Sequence, residues 1–148
     1  MNWEALSALA AVGACATAVA GLVLVIKQLR HIEKQIRSGS AASLYNEMIS
    51  IDQFFISNAH LKPYIYGEKP VDDGDELSGA VQSAAEMMVD LMEHAYLQRD
   101  SLPDGLWPRW EAYMRHLYAK SPAIREYLKT SGVWYHDNIL KIIGMGRT

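Results

Sequence analysis

No charged side chain lies between Glu4 and Lys27, and no lysine or arginine precedes Lys27. The uncharged run, residues 5–26, reads ALSALAAVGACATAVAGLVLVI and is 22 residues long. As a helix it would measure roughly 33 Å, against a bilayer hydrocarbon core of about 30 Å. A cleaved signal peptide starts with basic residues, and this chain does not, although Ala14 and Ala16 resemble a cleavage site. Cysteine is nearly missing as well: Cys15 is the only one, which rules out an intrachain disulfide and suits a reducing compartment. The chain also lacks a glycine-rich phosphate loop, a nucleophile elbow and a cysteine pair. Basic residues are dispersed and the net charge is −3, so no nucleic-acid partner is expected.

What fills the uncharged run is Ala-rich and aliphatic. Its four Leu, four Val and one Ile favour insertion by about 3–5 kcal/mol. Residues 1–26 therefore read as a single transmembrane helix. The alternative is a buried helix of a soluble domain, but uncharged buried helices are usually shorter. Lys27, Arg30, Lys34 and Arg37 follow the run at once, and a basic flank stays cytoplasmic. The expectation is a single-pass protein of the inner, cytoplasmic membrane. Its N-terminus faces outside, Trp3 sits at the outer interface, and the chain from Lys27 onward is cytosolic.

A heptad seam leaves the lipid. Leu22, Val25, Leu29, Ile32 and Ile36 follow 3, 4, 3, 4 spacing, and the same register runs back through Ala18, Cys15, Ala11 and Ala8. Helices in lipid associate by close approach through small residues, whereas Leu and Ile at this spacing drive a coiled coil in water. The seam predicts a homo-oligomer. Gly13, Thr17 and Gly21 offer a second small-residue stripe. The aliphatic positions also have an alternative use, packing on the chain's own later helices.

Residues 27–40 read as a juxtamembrane helix and linker, with a break, or a weak point in a longer helix, at Ser38-Gly39-Ser40. Residues 41–148 form one helical domain. Half of all residues are hydrophobic, which excludes disorder. Ser40 or Ser43 caps a helix over about 41–56 with Leu44, Met48, Ile51 and Phe55 inward, and Tyr45 and Phe54 widening that face. Residues 57–74 form the main loop, interrupted by Pro63 and Pro70. Leu61, Tyr64, Ile65 and Tyr66 pin it to the core, and His60 and Lys62 make it a candidate ligand loop. Asp73 or Asp75 starts a helix over about 75–99 whose core stripe is Leu77, Val81, Ala84, Met88, Leu91 and Ala95. Asp104 or Trp107 caps the next, with Pro108 in its first turn and Trp110, Met114 and Leu117 inward. Ser121-Pro122 opens another, ending before Gly132, and a last segment spans about 135–143. Residues 38–108 carry twelve acids and three bases, and residues 109–148 carry seven bases and three acids. The two parts can attract each other, or the basic end can face anionic headgroups.

No catalytic constellation stands out, and no catalytic residue, metal ligand or cofactor is expected. Glu86, Asp90, Glu93 and His94 share adjacent turns of one helix, but Leu91 occupies the position where a di-iron motif needs Glu. Asp90 and His94, four apart, can share a hydrogen bond or a metal.

Several segments together carry a resemblance. They are Leu44-Tyr45-Asn46-Glu47-Met48, Phe54-Phe55, Leu61-Lys62-Pro63-Tyr64-Ile65-Tyr66, Leu91-Met92-Glu93-His94, Trp107 with Trp110-Glu111, and Leu117-Tyr118. Following a short membrane span and a basic amphipathic continuation, they resemble small uncharacterised bacterial membrane-anchored helical proteins. The resemblance implies architecture and no activity. The resulting fold class is all-α: a single N-terminal transmembrane helix continuing into an amphipathic helix, then a compact cytosolic helical bundle. The first function to expect is a non-enzymatic anchor that self-associates, contacts membrane lipid, and engages a cytosolic partner or ligand. The second is an oligomeric effector or pore gated by a ligand, for which the span offers only Ser7 and Thr17 as lumen hydroxyls. The third is a small metal-dependent enzyme using Asp90, Glu93 and His94.

Overall fold

The structure is a computed structural model that describes residues 3–72, 74 and 76–145. Every regular element among the described residues is helical. Two units divide at Arg37 and Ser38.

The first helix, α1, runs from Trp3 to Ser57. It contains a stretch long and apolar enough to cross a membrane, with none of that stretch buried. The break expected at Ser38-Gly39-Ser40 is absent, and neither Ser40 nor Ser43 starts a helix. One Gly and two Ser cost an α-helix only about 2 kcal/mol together. Restarting a helix would cost a fresh nucleus, whereas continuing it carries Leu44, Ile51 and Phe55 into the core. No heavy atom lies within 4 Å of where a Gly39 Cβ would sit, so packing does not require that glycine. The helix stops at Asn58, whose side-chain amide and backbone N–H both donate to the Phe54 carbonyl, at 3.0 and 2.9 Å.

In the second unit, Leu44, Ile51 and Phe55 are buried and Met48 half-buried, as the 4, 3, 4 spacing requires. Tyr45 departs from the expected face and is 52% exposed. Residues 57–74 are less of a loop than the prolines suggest. Ala59–Leu61 is a 3-10 turn and Lys62–Tyr66 is a short helix, α2, with Pro63 in its first turn. Proline fits there because the first helical N–H groups have no intrahelical acceptor anyway. Leu61, Tyr64 and Ile65 are buried, and the Tyr66 ring packs edge-on against Phe55 at 5.4 Å.

The third helix, α3, spans Ser78–Leu97. The expected starts, Asp73 and Asp75, lie outside the described residues. Its stripe is core from Val81 to Ala95, with Leu77 half-buried just before it. A second set, Ala85, Val89, Met92 and Tyr96, is buried too, so α3 packs on two sides. Burying side chains such as Val89 and Met92 contributes about 1.5–3 kcal/mol each.

Helix α4 spans Trp107–Lys120 with Pro108 in its first turn. The cap position falls to Leu106, not Asp104 or Trp107, and it carries no side-chain cap. Helix α5, Pro122–Ser131, starts where the Ser-Pro signal puts it: the Ser121 hydroxyl accepts from the Ile124 N–H at 3.2 Å. A 3-10 turn over Gly132–Trp134 follows. The last helix, α6, spans Asp137–Ile142. Here the His136 ring accepts from the Asn138 N–H at 3.2 Å, and Ile139, Leu140 and Ile143 dock on the core. Helix α5 packs on α2, α3 and α4, which places it beside the buried face of α3.

Candidate functional site

The first candidate surface is the seam of α1. Ala11, Cys15 and Ala18 are exposed in the single chain. So are Leu22, Val25, Leu29, Ile32 and Ile36, at 48–60%. The register stops at Ile36: its next positions are Gly39, Ser43 and Asn46, which offer no aliphatic surface. The Ser7 and Thr17 hydroxyls bond within the helix. Ser7 donates to the Glu4 carbonyl at 3.1 Å and Thr17 to the Gly13 carbonyl at 2.9 Å. Each bonds back to a carbonyl three or four residues earlier, as Ser and Thr do inside helices.

The second candidate is the polar row on α3. Asp90, Glu93 and His94 share that row, but each turns to a different partner. The Asp90 carboxylate accepts from the Tyr135 hydroxyl at 2.8 Å. Glu93 accepts from the His136 backbone N–H at 3.1 Å. His94 pairs through Nδ1 with Glu47 of α1, and its Nε2 meets the Gln98 amide. Among the described residues, no three His, Cys, Asp or Glu side chains gather as a metal set. Three separate ties thus fasten α3 to α1 and to the segment before α6. For the two acids the partners are not Lys and Arg of the last helices but a phenol at Asp90 and a backbone amide at Glu93. An ion pair does join the acidic middle to the basic end, Lys120 to Glu68, and it holds the Glu68 carboxyl below its usual range.

The row has a buried extension. Tyr135 gives its one hydroxyl hydrogen to Asp90, so the 2.9 Å contact with Tyr127 must be donated by Tyr127. Burial, and then the bond to the Asp90 carboxylate and its negative charge, push the Tyr135 hydroxyl far above the usual phenol range. A second pair of phenols, Tyr66 and Tyr113, is also raised, first of all by burial, and the Tyr66 hydroxyl donates to the Met88 sulfur at 3.7 Å. Beside the polar row, the Tyr96 hydroxyl accepts from the Asn138 amide at 2.7 Å, and the Arg99 guanidinium lies 4.2 Å from the Tyr96 ring centre. Sequence spacing misses Tyr135 with Asp90 and Asn138 with Tyr96 because the members stand 45 and 42 residues apart.

Two of the clefts among the described residues lie on the second unit away from the polar row. One, of about 250 Å³, lies between α3 and α5 and is lined by Val71, Val81, Gln82, Ala123, Glu126 and Tyr127. The other, of about 180 Å³, is walled by Tyr45, Met48, Leu106, Arg109, Trp110 and Tyr113. Both are smaller than the usual pocket for a drug-sized ligand. His60 and Lys62, the polar residues of the expected ligand loop, are exposed and line neither cleft. No protein-family model matches the chain, and neither a curated protein nor a solved structure does.

Proposed function

We propose that the chain is a non-enzymatic, membrane-anchored helical protein that self-associates through α1 and presents its second unit to a cytosolic partner or ligand. The observation that carries this reading is the exposure of an uncharged apolar helical stretch followed by four basic residues. Water solvates such a surface poorly, and lipid solvates it well. The Lys and Arg excess after residue 26 favours the orientation with the N-terminus outside and the helical bundle in the cytoplasm, at the inner membrane. Self-association is supported by the uncovered seam, which is small-residued in the span and aliphatic beyond it. The Tyr45, Arg109 and Trp110 cleft is the place for a partner side chain or a small ligand.

Disulfide mapping in native membranes tests the self-association. Cys15 should give a covalent dimer on mild oxidation. In a Cys15→Ala background, single cysteines at Ala11 and Ala18 should cross-link, and cysteines at Ala16 and Ala20, on the opposite face, should not. Equal cross-linking at all four positions, or none at any, would contradict the seam.

A further inference from the structure

Lys27, Arg30 and Lys34 are spaced 3 and 4 residues apart on one continuous helix. At about 100° per residue they fall within an arc of roughly 60°. The seam positions Leu22, Val25, Leu29, Ile32 and Ile36 occupy the opposite side of the same helix. All three cations are exposed, and among the described residues none has a hydrogen bond or ion pair. The face closes at Arg37, which is half-buried and paired with Glu33 at 3.1 Å. Their heights matter as much as their direction. Lys27 immediately follows the apolar run, and Lys34 stands about 12 Å beyond Ile26. The interfacial layer is about 5–8 Å deep on each side, and the surface potential persists for about another 8 Å at physiological salt. All three charges therefore fall inside the field of the headgroups.

We propose that Lys27, Arg30 and Lys34 form a one-sided docking face for anionic lipid headgroups of the membrane that α1 enters. The proposal rests on the reading of α1 as a span with its basic flank at the cytoplasmic leaflet. Its added content is directional. Two copies joined at the seam turn their cations outward, away from one another and toward the surrounding lipid. The seam thus avoids like-charge repulsion, and the bound headgroups lie around the rim of the pair. A basic flank serving orientation alone would need the count of charges and not their placement on one side.

Lipid selectivity of the full-length chain in phosphatidylcholine vesicles provides the test, read by electron spin resonance of trace spin-labelled phosphatidylglycerol against spin-labelled phosphatidylcholine. The wild type should prefer phosphatidylglycerol by roughly fivefold or more, about the effect of one partly screened charge, and high salt should lower the preference. A relocation variant, K27Q/Q28K with K34Q/Q35K, keeps the charge count but moves two cations out of the arc. It should lose most of the preference. R30Q, a single change, should lower it partially and serves as the second readout if the relocated helix inserts poorly. An equal preference in wild type and both variants would overturn the proposal, as would none in the wild type. Carbonate extraction of the same vesicles separates the two levels: release of the wild type would sink the span itself, while retention without selectivity would sink only the lipid face.

Discussion

The Tyr135 hydroxyl donates to the Asp90 carboxylate at 2.8 Å while accepting from Tyr127 at 2.9 Å. One phenol thus ties the turn before α6 to α3 and to α5. Tyr135→Phe removes both bonds and leaves the Tyr127 hydroxyl, in a residue only 8% exposed, without that acceptor. The expected loss is about 1–2 kcal/mol, read from denaturant unfolding of the purified chain in detergent. Asp90→Ala should cost less, about 0.5–1 kcal/mol, because Asp90 is exposed and water replaces it. A larger effect at Asp90 than at Tyr135 would contradict the assigned direction of the two bonds.

The raised phenols give the fold an alkaline limit. Burial is the leading cause at Tyr66, Tyr113 and Tyr135. In an unfolded chain tyrosine ionises near pH 10. Below that, folded and unfolded states hold the same phenol protons, and the contribution to stability is complete. Above it the unfolded state releases them first, so stability falls as pH rises. Melting temperature should therefore decline from about pH 10 upward, and the decline should be shallower in Tyr66→Phe and Tyr135→Phe. Identical slopes in wild type and both variants would remove the phenols from the explanation.

Ser121 holds two elements at once. Its hydroxyl accepts from the Ile124 N–H at 3.2 Å and donates to the Tyr64 carbonyl at 3.1 Å, and the residue is fully buried. Ser121→Ala should cost about 1–3 kcal/mol in the same unfolding measurement, combining a lost cap with the loss of a buried bond to the Tyr64 carbonyl. Ser121→Thr keeps the hydroxyl and should recover part of that loss. A neutral alanine variant would show that neither bond matters.

Gly39 tests the continuity of α1. It sits inside the helix, and a Cβ added there would meet no heavy atom within 4 Å. Gly39→Ala should therefore raise helix stability by about 0.5–1 kcal/mol, seen as a higher melting temperature by circular dichroism. A flexible linker at this point would give no gain.

The legible parts of this fold are those with local signals. Ser121-Pro122 announces α5 because a cap and a first-turn proline act within four residues. The stripe from Val81 to Ala95 is visible because a buried face repeats every three or four positions. Ser38-Gly39-Ser40 misleads because weak helix formers stop a helix only when nothing downstream rewards continuing it, and here Leu44, Ile51 and Phe55 do. Asp90, Glu93 and His94 are legible as a group, but their partners Tyr135, His136 and Glu47 are set by packing across 43 to 47 residues. The seam is legible as spacing, whereas its exposure depends on which side chains the fold covers.

The most direct measurement is fractionation of the full-length chain after expression. Membranes are washed with alkaline carbonate and sedimented by ultracentrifugation. We expect the protein in the pellet, released only by detergent, because lipid solvates the apolar stretch of α1. Recovery of the intact chain in the detergent-free supernatant would contradict the membrane anchor and everything built on it.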